Sequence, residues 1–401
     1  MNEFDLPKWV SSSLTWERIK TIDLGLDLGL LNDMVTVGFD WYQRTTNDMI
    51  APGKALPPSV GASTPTTNSG SLRTRGWELT INWRKQFSND LGLYANFSIG
   101  DSKSVVTKWD NDQNIGHPLN TAYAYAGQVW GDIWGFETDR YFTEADFTGK
   151  NADGSWIYAP GVADQTGIQT QTFVYGPGDI KFKDLDGSGV IDGGKGTVDD
   201  HGDLKVIGNC LPRYEYSFHI GGTYKGFDLD LFFQGVGKRD MWTQSSFVFP
   251  EMREADLAIY ANQTSYNIYE PEKGIVNISE SNAFPCLYPG NEYAGNVTGL
   301  AGEGGCHNYY PQTKYLVDMS YLRLKNVTLG YTLPVELTKK AFVQKLRFYV
   351  SCSNLFLLHK GSGDLPIDPE MNAGQGALGY GTWGRTYPTT KSWSFGLQVT
   401  F

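Results

Sequence analysis

The sequence predicts an all-β protein: an antiparallel transmembrane β-barrel segment of about nine strands with long extracellular loops. Three observations support this fold class. Large apolar residues alternate with small or polar ones in nine separate segments. The connections between these segments are alternately very short and very long. Aromatic residues make up 14% of the chain and gather near the ends of the predicted strands, as in the aromatic girdles of outer-membrane barrels.

The alternation defines each strand in turn. In the last one, every odd position from Trp393 to Phe401 is large and apolar, so these side chains share one face. The other predicted strands cover residues 22–30, 35–41, 77–83, 91–99, 214–220, 227–233, 327–333 and 346–350. We expect each strand, with its flanking residues, to reach the roughly 10 residues that cross a bilayer. We expect the apolar faces to contact lipid and the polar faces, which carry acids such as Asp228 and Asp230, to line a lumen.

The connections indicate which end of each strand faces outward. Residues 31–33, 88–90 and 225–226 form short turns, and residues 334–343 form a fourth connection that we expect to include a short helical turn. The connections at the opposite end cover roughly residues 48–71, 107–210, 239–318 and 357–390. Short periplasmic turns and long extracellular loops are typical of an outer-membrane barrel, whereas a soluble sandwich, the alternative β fold, has no such asymmetry.

The composition and the short motifs argue against several classes of function. The net charge of −11 argues against nucleic-acid binding, which depends on Lys and Arg that neutralise phosphates. No apolar run approaches the ~18 residues of a transmembrane helix. The first residues, MNEFDLPKWVSSS, lack the basic and apolar regions of a signal peptide, so the sequence either is cytoplasmic or lacks its beginning. No nucleophile elbow, P-loop or zinc-protease motif is present, and we predict no catalytic residue.

Several stretches are distinctive in combination, including TRGWELTINW at 74–83, GDIKFKDLDGSGVID at 178–192, SYLRLKNVTLGYTLP at 320–334 and RFYVSCSNLFLL at 347–358. Together they resemble the C-terminal half of the SusC/RagA family, the TonB-dependent outer-membrane nutrient importers of Bacteroidetes. The similarity covers essentially residues 1–401. It implies a barrel of roughly 22 strands, of which this chain supplies about nine. It also implies that a signal peptide, a TonB box and a plug domain precede the chain, and we expect none of these within it.

The resemblance implies a function and partners. We expect the barrel portion of an importer in the Gram-negative outer membrane, which takes up an oligosaccharide or peptide with a SusD-like surface lipoprotein. The TonB complex would supply energy through the plug region, and outer-membrane lipid would surround the wall. The alternative is a secreted, calcium-binding carbohydrate-binding or adhesin module. The terminal aromatic residue Phe401 favours the barrel, because a final aromatic strand usually directs insertion into the outer membrane.

The sharpest local motif predicts a calcium loop. The run DLDGSGVID at 184–192 matches the front of the D-x-D-x-[DNS]-G pattern. The expected ligands, if the site holds structural Ca²⁺, are Asp184, Asp186, Ser188, Val190 through its carbonyl, and Asp192. Position twelve is Lys195 instead of an acid, so one of Asp199, Asp200 and Asp203 would have to supply the missing carboxylate. The alternative is an Asp/Gly-rich turn that binds no metal.

Two further sets of residues in the loops are candidates for a functional or structural role. The aromatic rings that could stack on substrate in the loops are Tyr123, Tyr125, Trp130, Trp134 and Trp383, although packing within the loops is the favoured explanation for most of them. Cys286 and Cys306 lie in one long loop of an oxidising compartment, where they could form a disulfide.

Overall fold

The computed structural model describes residues 11–12, 14–54, 57, 59, 64–110, 114–115, 124–152, 154–169, 174–242, 261–287, 308–370 and 389–401. Nine long strands dominate this part of the chain. They are β1 (Arg18–Leu30), β2 (Val35–Pro52), β3 (Thr66–Gln86), β4 (Leu91–Trp109), β5 (Arg213–Tyr224), β6 (Phe227–Lys238), β7 (Tyr321–Thr332), β8 (Lys345–Lys360) and β9 (Ser392–Thr400). All nine predicted strands are confirmed, and most extend beyond their predicted bounds.

The nine strands form one antiparallel sheet in which each strand pairs with the next along the chain, in the order β1 to β9. We call this sheet the wall. Among the described residues, the outer strands β1 and β9 each pair with a single strand of the wall. None of the helices among those residues is both long enough and apolar enough to cross a membrane.

The short turns follow from local backbone preferences. At the turn between β5 and β6, both Lys225 (φ 46°) and Gly226 (φ 87°) adopt positive φ. This is the conformation of a two-residue hairpin loop, whose twist matches that of the flanking strands. The connection between β7 and β8 contains an α-helical turn at Val335–Thr338 followed by a 3₁₀ turn at Lys339–Ala341, which confirms the predicted helical turn.

One face of the wall is apolar and exposed. Leu24 on β1 is 64% exposed, Leu229 on β6 is 43% exposed and Leu397 on β9 is 58% exposed, and each lies on the predicted lipid-facing side. The same side of β7 carries Leu329, which is 46% exposed. A soluble sheet would bury such a face against a second layer. Contiguous exposure along the wall therefore fits a surface whose solvent is lipid.

The long loops fold together around their own core. Fully or nearly fully buried residues include Phe136, Tyr141, Phe142, Phe182 and Ile191, which belong to one hydrophobic cluster that we call the loop core. Its short antiparallel pairs join Asp132–Phe136 to Leu204–Asn209, Thr138–Tyr141 to Ile180–Phe182, Phe147–Lys150 to Trp156–Tyr158, Asp240–Met241 to Val317–Asp318, and Ile268–Glu270 to Ile275–Asn277. Further 3₁₀ turns lie at Glu144–Asp146, Thr166–Ile168, Ala261–Gln263 and Pro271–Lys273.

The core joins distant parts of the sequence. Phe136 stacks on Phe182 with ring centroids 4.9 Å apart, and Tyr310 meets the edge of Phe136 at 5.7 Å. Tyr310 belongs to the loop that precedes β7, so the loops after β4 and β6 share one core. The extracellular end of the protein is thus a packed unit.

Candidate functional site

The polar face of the wall carries charged groups that pair across strands. Arg347 on β8 donates from Nε to Oδ2 of Asp228 on β6 at 2.9 Å, across the intervening β7. His219 on β5 lies 2.6 Å from Asp230 on β6, and Tyr94 on β4 donates its hydroxyl to the same carboxylate. These contacts put the predicted lumen-facing acids on one side of the sheet, opposite the exposed leucines.

Small residues on this face make room for the larger side chains. A Cβ at Gly76 would lie 2.5 Å from the ring of Tyr42, and a Cβ at Gly396 would lie 2.1 Å from the ring of Tyr349. Glycine at both positions lets an aromatic ring lie flat against the neighbouring strand on the lumen side. The lumen surface is therefore a fitted layer of polar and aromatic groups.

The loop after β8 returns to this polar face. Arg323 on β7 has a side chain that is only 6% exposed, and it pairs with Asp368. Lys325 on the same strand pairs with Glu370. Arg323 lies opposite Gln234 of β6, whose side faces the lumen. These ion pairs hold residues 361–370 against the inner wall, a contact that no sequence pattern indicated.

The predicted calcium loop contains a real cluster of carboxylates. Oxygen atoms of Asp184, Asp186 and Asp203 all lie within 4.8 Å of one another. Asp203 comes from beyond the motif and is fully buried, and of the three acids considered for position twelve it is the one that joins this cluster. Lys195 at that position instead pairs with Asp200 at 2.9 Å.

Backbone amides orient the three carboxylates. Asp184 accepts from the amides of Gly187 at 2.7 Å and Gly189 at 2.8 Å, and both glycines adopt positive φ in the turn. Asp203 accepts from the amides of Leu185 at 2.6 Å and Asp192 at 3.0 Å. Burial, reinforced by the nearby Asp186 carboxylate, raises the pKa of Asp203 above its usual value. A bound cation would offset that cost by stabilising the charged form.

The remaining predicted ligands have other contacts. Asp192 directs its Oδ1 to the amide of Gly194 at 2.7 Å, and it is not part of the carboxylate cluster among the described residues. The Ser188 hydroxyl donates to the carbonyl of Val190 at 2.9 Å. Ile191, next to Val190, is fully buried in the loop core and anchors this turn there.

The predicted substrate aromatics are mostly engaged with the protein. Tyr125 is only 6% exposed, and its hydroxyl accepts from the indole of Trp134 at 3.2 Å. Trp134 also packs against His201, with ring centroids 5.3 Å apart. The carbonyl of Trp130 accepts from Asn209 at 3.1 Å. Tyr123 and Trp383 lie outside the described residues.

The structure describes only one of the two cysteines of the predicted disulfide. Cys286 is buried, and its Sγ lies 3.7 Å from the carbonyl oxygen of Pro177. Burial raises the pKa of the Cys286 thiol, which makes it a poor nucleophile. Its predicted partner, Cys306, lies outside the described residues, and the disulfide stays a prediction.

Comparison with known proteins shows what the chain is similar to. A sequence model described as TonB dependent receptor-like, beta-barrel matches residues 6–199. TonB-dependent receptor P3 of Formosa agariphila is 26% identical over 418 aligned residues, covering 100% of this chain and 36% of that receptor. The chain is thus similar to TonB-dependent receptors, and residues 6–199 match the β-barrel of that family. TonB-dependent receptor SusC of Bacteroides thetaiotaomicron is likewise 26% identical, over 98% of this chain and 33% of that protein, which confirms the SusC-type resemblance.

Solved structures show the same fold. A RagAB peptide transporter aligns with a TM-score of 0.60 and 22% identity over 97% of this chain and 36% of the other chain. A RagAB peptide importer in a closed-closed state gives a TM-score of 0.62 at 21% identity. The segment thus spans about a third of the length of its curated relatives and has the fold of a TonB-dependent outer-membrane barrel.

Proposed function

We propose that the protein containing this segment imports an oligosaccharide or a peptide across the outer membrane, driven by TonB and assisted by a SusD-like surface lipoprotein. The observation that carries the proposal is the two-sided wall. Its outer face is apolar and exposed, its inner face is charged, and the same chain aligns along its length with TonB-dependent receptors. A secreted adhesin would have no use for an exposed apolar band of this extent.

In this proposal, parts of the structure have distinct roles. The outer leucines face lipid, the paired charges of the inner face line the route of a hydrated substrate, and the loop core covers its extracellular end. Residues 361–370, which Arg323 and Lys325 hold against the inner wall, contribute to the surface along that route. These roles are those of a conduit and a binding surface, and none of them requires a catalytic residue.

Uptake in cells tests the proposal. A strain deleted for the full-length receptor should lose energy-dependent uptake of either a fluorescent oligosaccharide panel or a fluorescent peptide panel. Deletion of TonB, or of a neighbouring SusD-like gene, should reproduce the loss. Uptake that persists in the receptor deletion for both panels, with wild-type levels of the remaining transporters, would contradict an importer of either class.

We also propose that the Asp184 loop binds a structural Ca²⁺. The support is the cluster of Asp184, Asp186 and Asp203, three hard oxygen donors with one buried member. Ca²⁺ prefers six to eight such oxygens, so backbone carbonyls, water or both would complete the shell. With a dissociation constant on the order of 10⁻⁴–10⁻³ M, such a site would be filled outside the cell.

A pair of variants tests the calcium proposal. In the full-length receptor, calcium should protect residues 180–205 from proteolysis, and Asp186→Asn should abolish that protection. Asp200→Asn is the matched control, because Asp200 pairs with Lys195 outside the cluster and its loss should leave protection intact. Protection that is indifferent to chelation, together with no metal by elemental analysis, would leave the motif as a turn.

A further inference from the structure

The extracellular end of the apolar face carries a group of cations. Lys20, Arg73, Arg75 and Lys103 have the same parity along their strands as the lipid-facing residues Ile22, Trp77 and Ile99. In the sheet, Lys20 aligns with Thr45 and then Arg73, and Arg75 aligns directly with Lys103. We call these four residues the outer cation patch. Strand spacing of about 4.8 Å places all four within roughly 15 Å.

The patch lies at the height expected for lipid headgroups. From Leu30 to Ile22, β1 covers about 27 Å along the strand, or roughly 20 Å along the membrane normal at a tilt of about 40°. Trp41 and Trp77 lie opposite each other on β2 and β3 and align with Leu24, one lipid-facing position closer to the periplasm than Ile22. Aromatic residues of this kind mark the boundary between lipid tails and headgroups. The cations lie immediately beyond that boundary, on the side of the long loops.

None of the four cations forms an ion pair with a carboxylate among the described residues, although Lys103 lies close enough to Asp132 to oppose the rise in its pKa that burial causes. Arg75 donates to the neutral amide of Gln43 at 2.8 Å. Asp101 lies two residues from Lys103 on the same side of β4, toward the periplasm, and Arg213 already binds it through two nitrogens. Arg75 and Lys103 face each other directly, an arrangement of like charges that destabilises a sheet. In a protein of net charge −11, this local excess of positive charge indicates an anionic ligand.

The periplasmic end of the wall differs. Lys85 lies over the ring of Phe87 at 5.1 Å, and Lys225 lies over Tyr224 at 5.4 Å, so these cations are held by aromatic faces of the wall itself. No comparable ring contact involves a cation of the outer patch within the described chain. The asymmetry matches an outer membrane whose two leaflets differ in headgroup charge.

We propose that the outer cation patch binds the phosphate groups of a phosphorylated glycolipid in the outer leaflet. Two observations select this occupant. The patch continues the lipid-facing band without a break, and its charge complements phosphate. A bound phosphate placed between Arg75 and Lys103 would convert their repulsion into two favourable contacts, with Arg73 and Lys20 available to a second phosphate on the same headgroup. The proposal rests on the outer-membrane location and is independent of what the receptor imports.

Binding to a defined lipid tests the proposal. The full-length receptor, purified in mild detergent, is titrated with diphosphorylated lipid A, with its dephosphorylated form and with phosphatidylglycerol. The triple variant Arg73→Gln, Arg75→Gln, Lys103→Gln should weaken lipid A binding roughly 100-fold, because each cation near a charged lipid surface contributes about fivefold. Removing the phosphates should weaken binding to the wild type to a similar degree.

The matched control removes three cations from the other end: Lys85→Gln, Lys225→Gln and Lys339→Gln. This control should change lipid A affinity by less than about twofold, because those charges lie at the opposite leaflet. Equal weakening by both triple variants, no weakening by the outer one, or equally tight binding of phosphatidylglycerol would overturn the assignment. Uptake of substrate by either variant reports on the import proposal separately.

A second measurement needs no charge-removing variant. A photo-crosslinking residue at Gln43, between the strands that carry Lys20 and Arg75, should capture glycolipid when cells are irradiated. Capture of a protein instead of glycolipid would assign the patch to a protein partner and contradict the proposal. This result stands even if the triple variant fails to form a folded barrel.

Discussion

Leu329 in the wall and Ile275 in the loops are equally exposed, each at 46%, but they face different solvents. Leu329 belongs to an apolar face that runs along the sheet, whereas Ile275 lies in a short hairpin among charged neighbours such as Lys273. Exposure alone therefore does not identify a lipid-facing residue. The continuity of an apolar face along neighbouring strands does.

The two regions also differ in how they are held together. The wall depends on backbone pairing between long strands and on lipid around it, and its inner face is polar. The loop core resembles the interior of a soluble domain, with stacked aromatic rings and buried polar groups such as Asp179 and Asn308, which share a hydrogen bond of 2.8 Å. A mutation should thus be judged by the rules of the region in which it lies.

The largest effect is expected in the loop core. Phe182→Ala removes a ring that is 1% exposed and stacked on Phe136, so it should destabilise the loop core by about 3–5 kcal/mol. Hydrogen exchange of the full-length receptor should show lost protection across residues 132–210 while the wall strands stay protected. Loss of protection in the wall strands as well would show that the two regions do not unfold separately.

The next effect separates the two faces of β7. Leu329→Arg should cost about 2–4 kcal/mol of folding free energy in a bilayer, because the charge would enter lipid near the midplane. Thr328→Arg, one residue away, faces the polar side beside Asp230 and should cost little. Urea-induced unfolding in vesicles measures both. Similar costs for the two variants would show that the faces are assigned in the wrong phase.

A smaller effect is expected at a charged contact in the loops. The carboxylate of Asp146 is only 3% exposed, and it binds Arg140 at 2.6 Å and Lys181 at 3.1 Å. Although burial opposes ionisation, Arg140, Thr143 and Lys181 outweigh it and hold the pKa of Asp146 well below its usual value. Asp146→Asn should destabilise the loop core by about 2 kcal/mol at neutral pH.

The same contact predicts a pH dependence. Because the pKa of Asp146 is lower in the folded state, its contribution is fully present above about pH 4, near the unfolded value, and is lost as the pH falls toward the folded value. Hydrogen exchange of the loop core below pH 4 should therefore converge for wild type and Asp146→Asn. A difference between them that stays constant down to pH 2 would contradict the ion-pair explanation.

The smallest effect is expected at Ile275, the exposed apolar residue of the loops. Ile275→Arg should change stability by no more than about 0.5 kcal/mol, since this side chain already faces water. The same substitution at Leu329 is expected to be several times more costly. A large cost at Ile275 would indicate that the hairpin Ile268–Asn277 has an apolar partner surface.

The strands were predictable because their signal is local. A two-residue period in Val327, Leu329 and Tyr331 specifies both a strand and its faces, and Lys225-Gly226 specifies the turn that joins two of them. The resemblance to the SusC/RagA family then indicated the outer-membrane location and the parts of the protein that this chain does not supply. The predictions of the strands, faces and turns depended little on which residues come into contact across the long loops.

The sites were less predictable because their contacts are not local in the sequence. Asp203 joins Asp184 only because the loop folds back across 19 positions, and the sequence left three acids equally suitable for that role. The pairing of Arg323 with Asp368 depends on the path of the loop after β8. No periodicity in the sequence encodes such contacts. The loop core that creates them is also rich in aromatic residues, which the sequence alone does not distinguish from substrate-binding aromatics.

Site-directed spin labelling along β7 tests the central claim most directly. In the full-length receptor in bilayers, labels at positions 327, 329 and 331 should be accessible to dissolved oxygen and shielded from a water-soluble nickel chelate. Labels at positions 328 and 330 should show the reverse. An accessibility profile without this two-residue alternation would contradict a wall with one face in lipid and the other in a polar lumen.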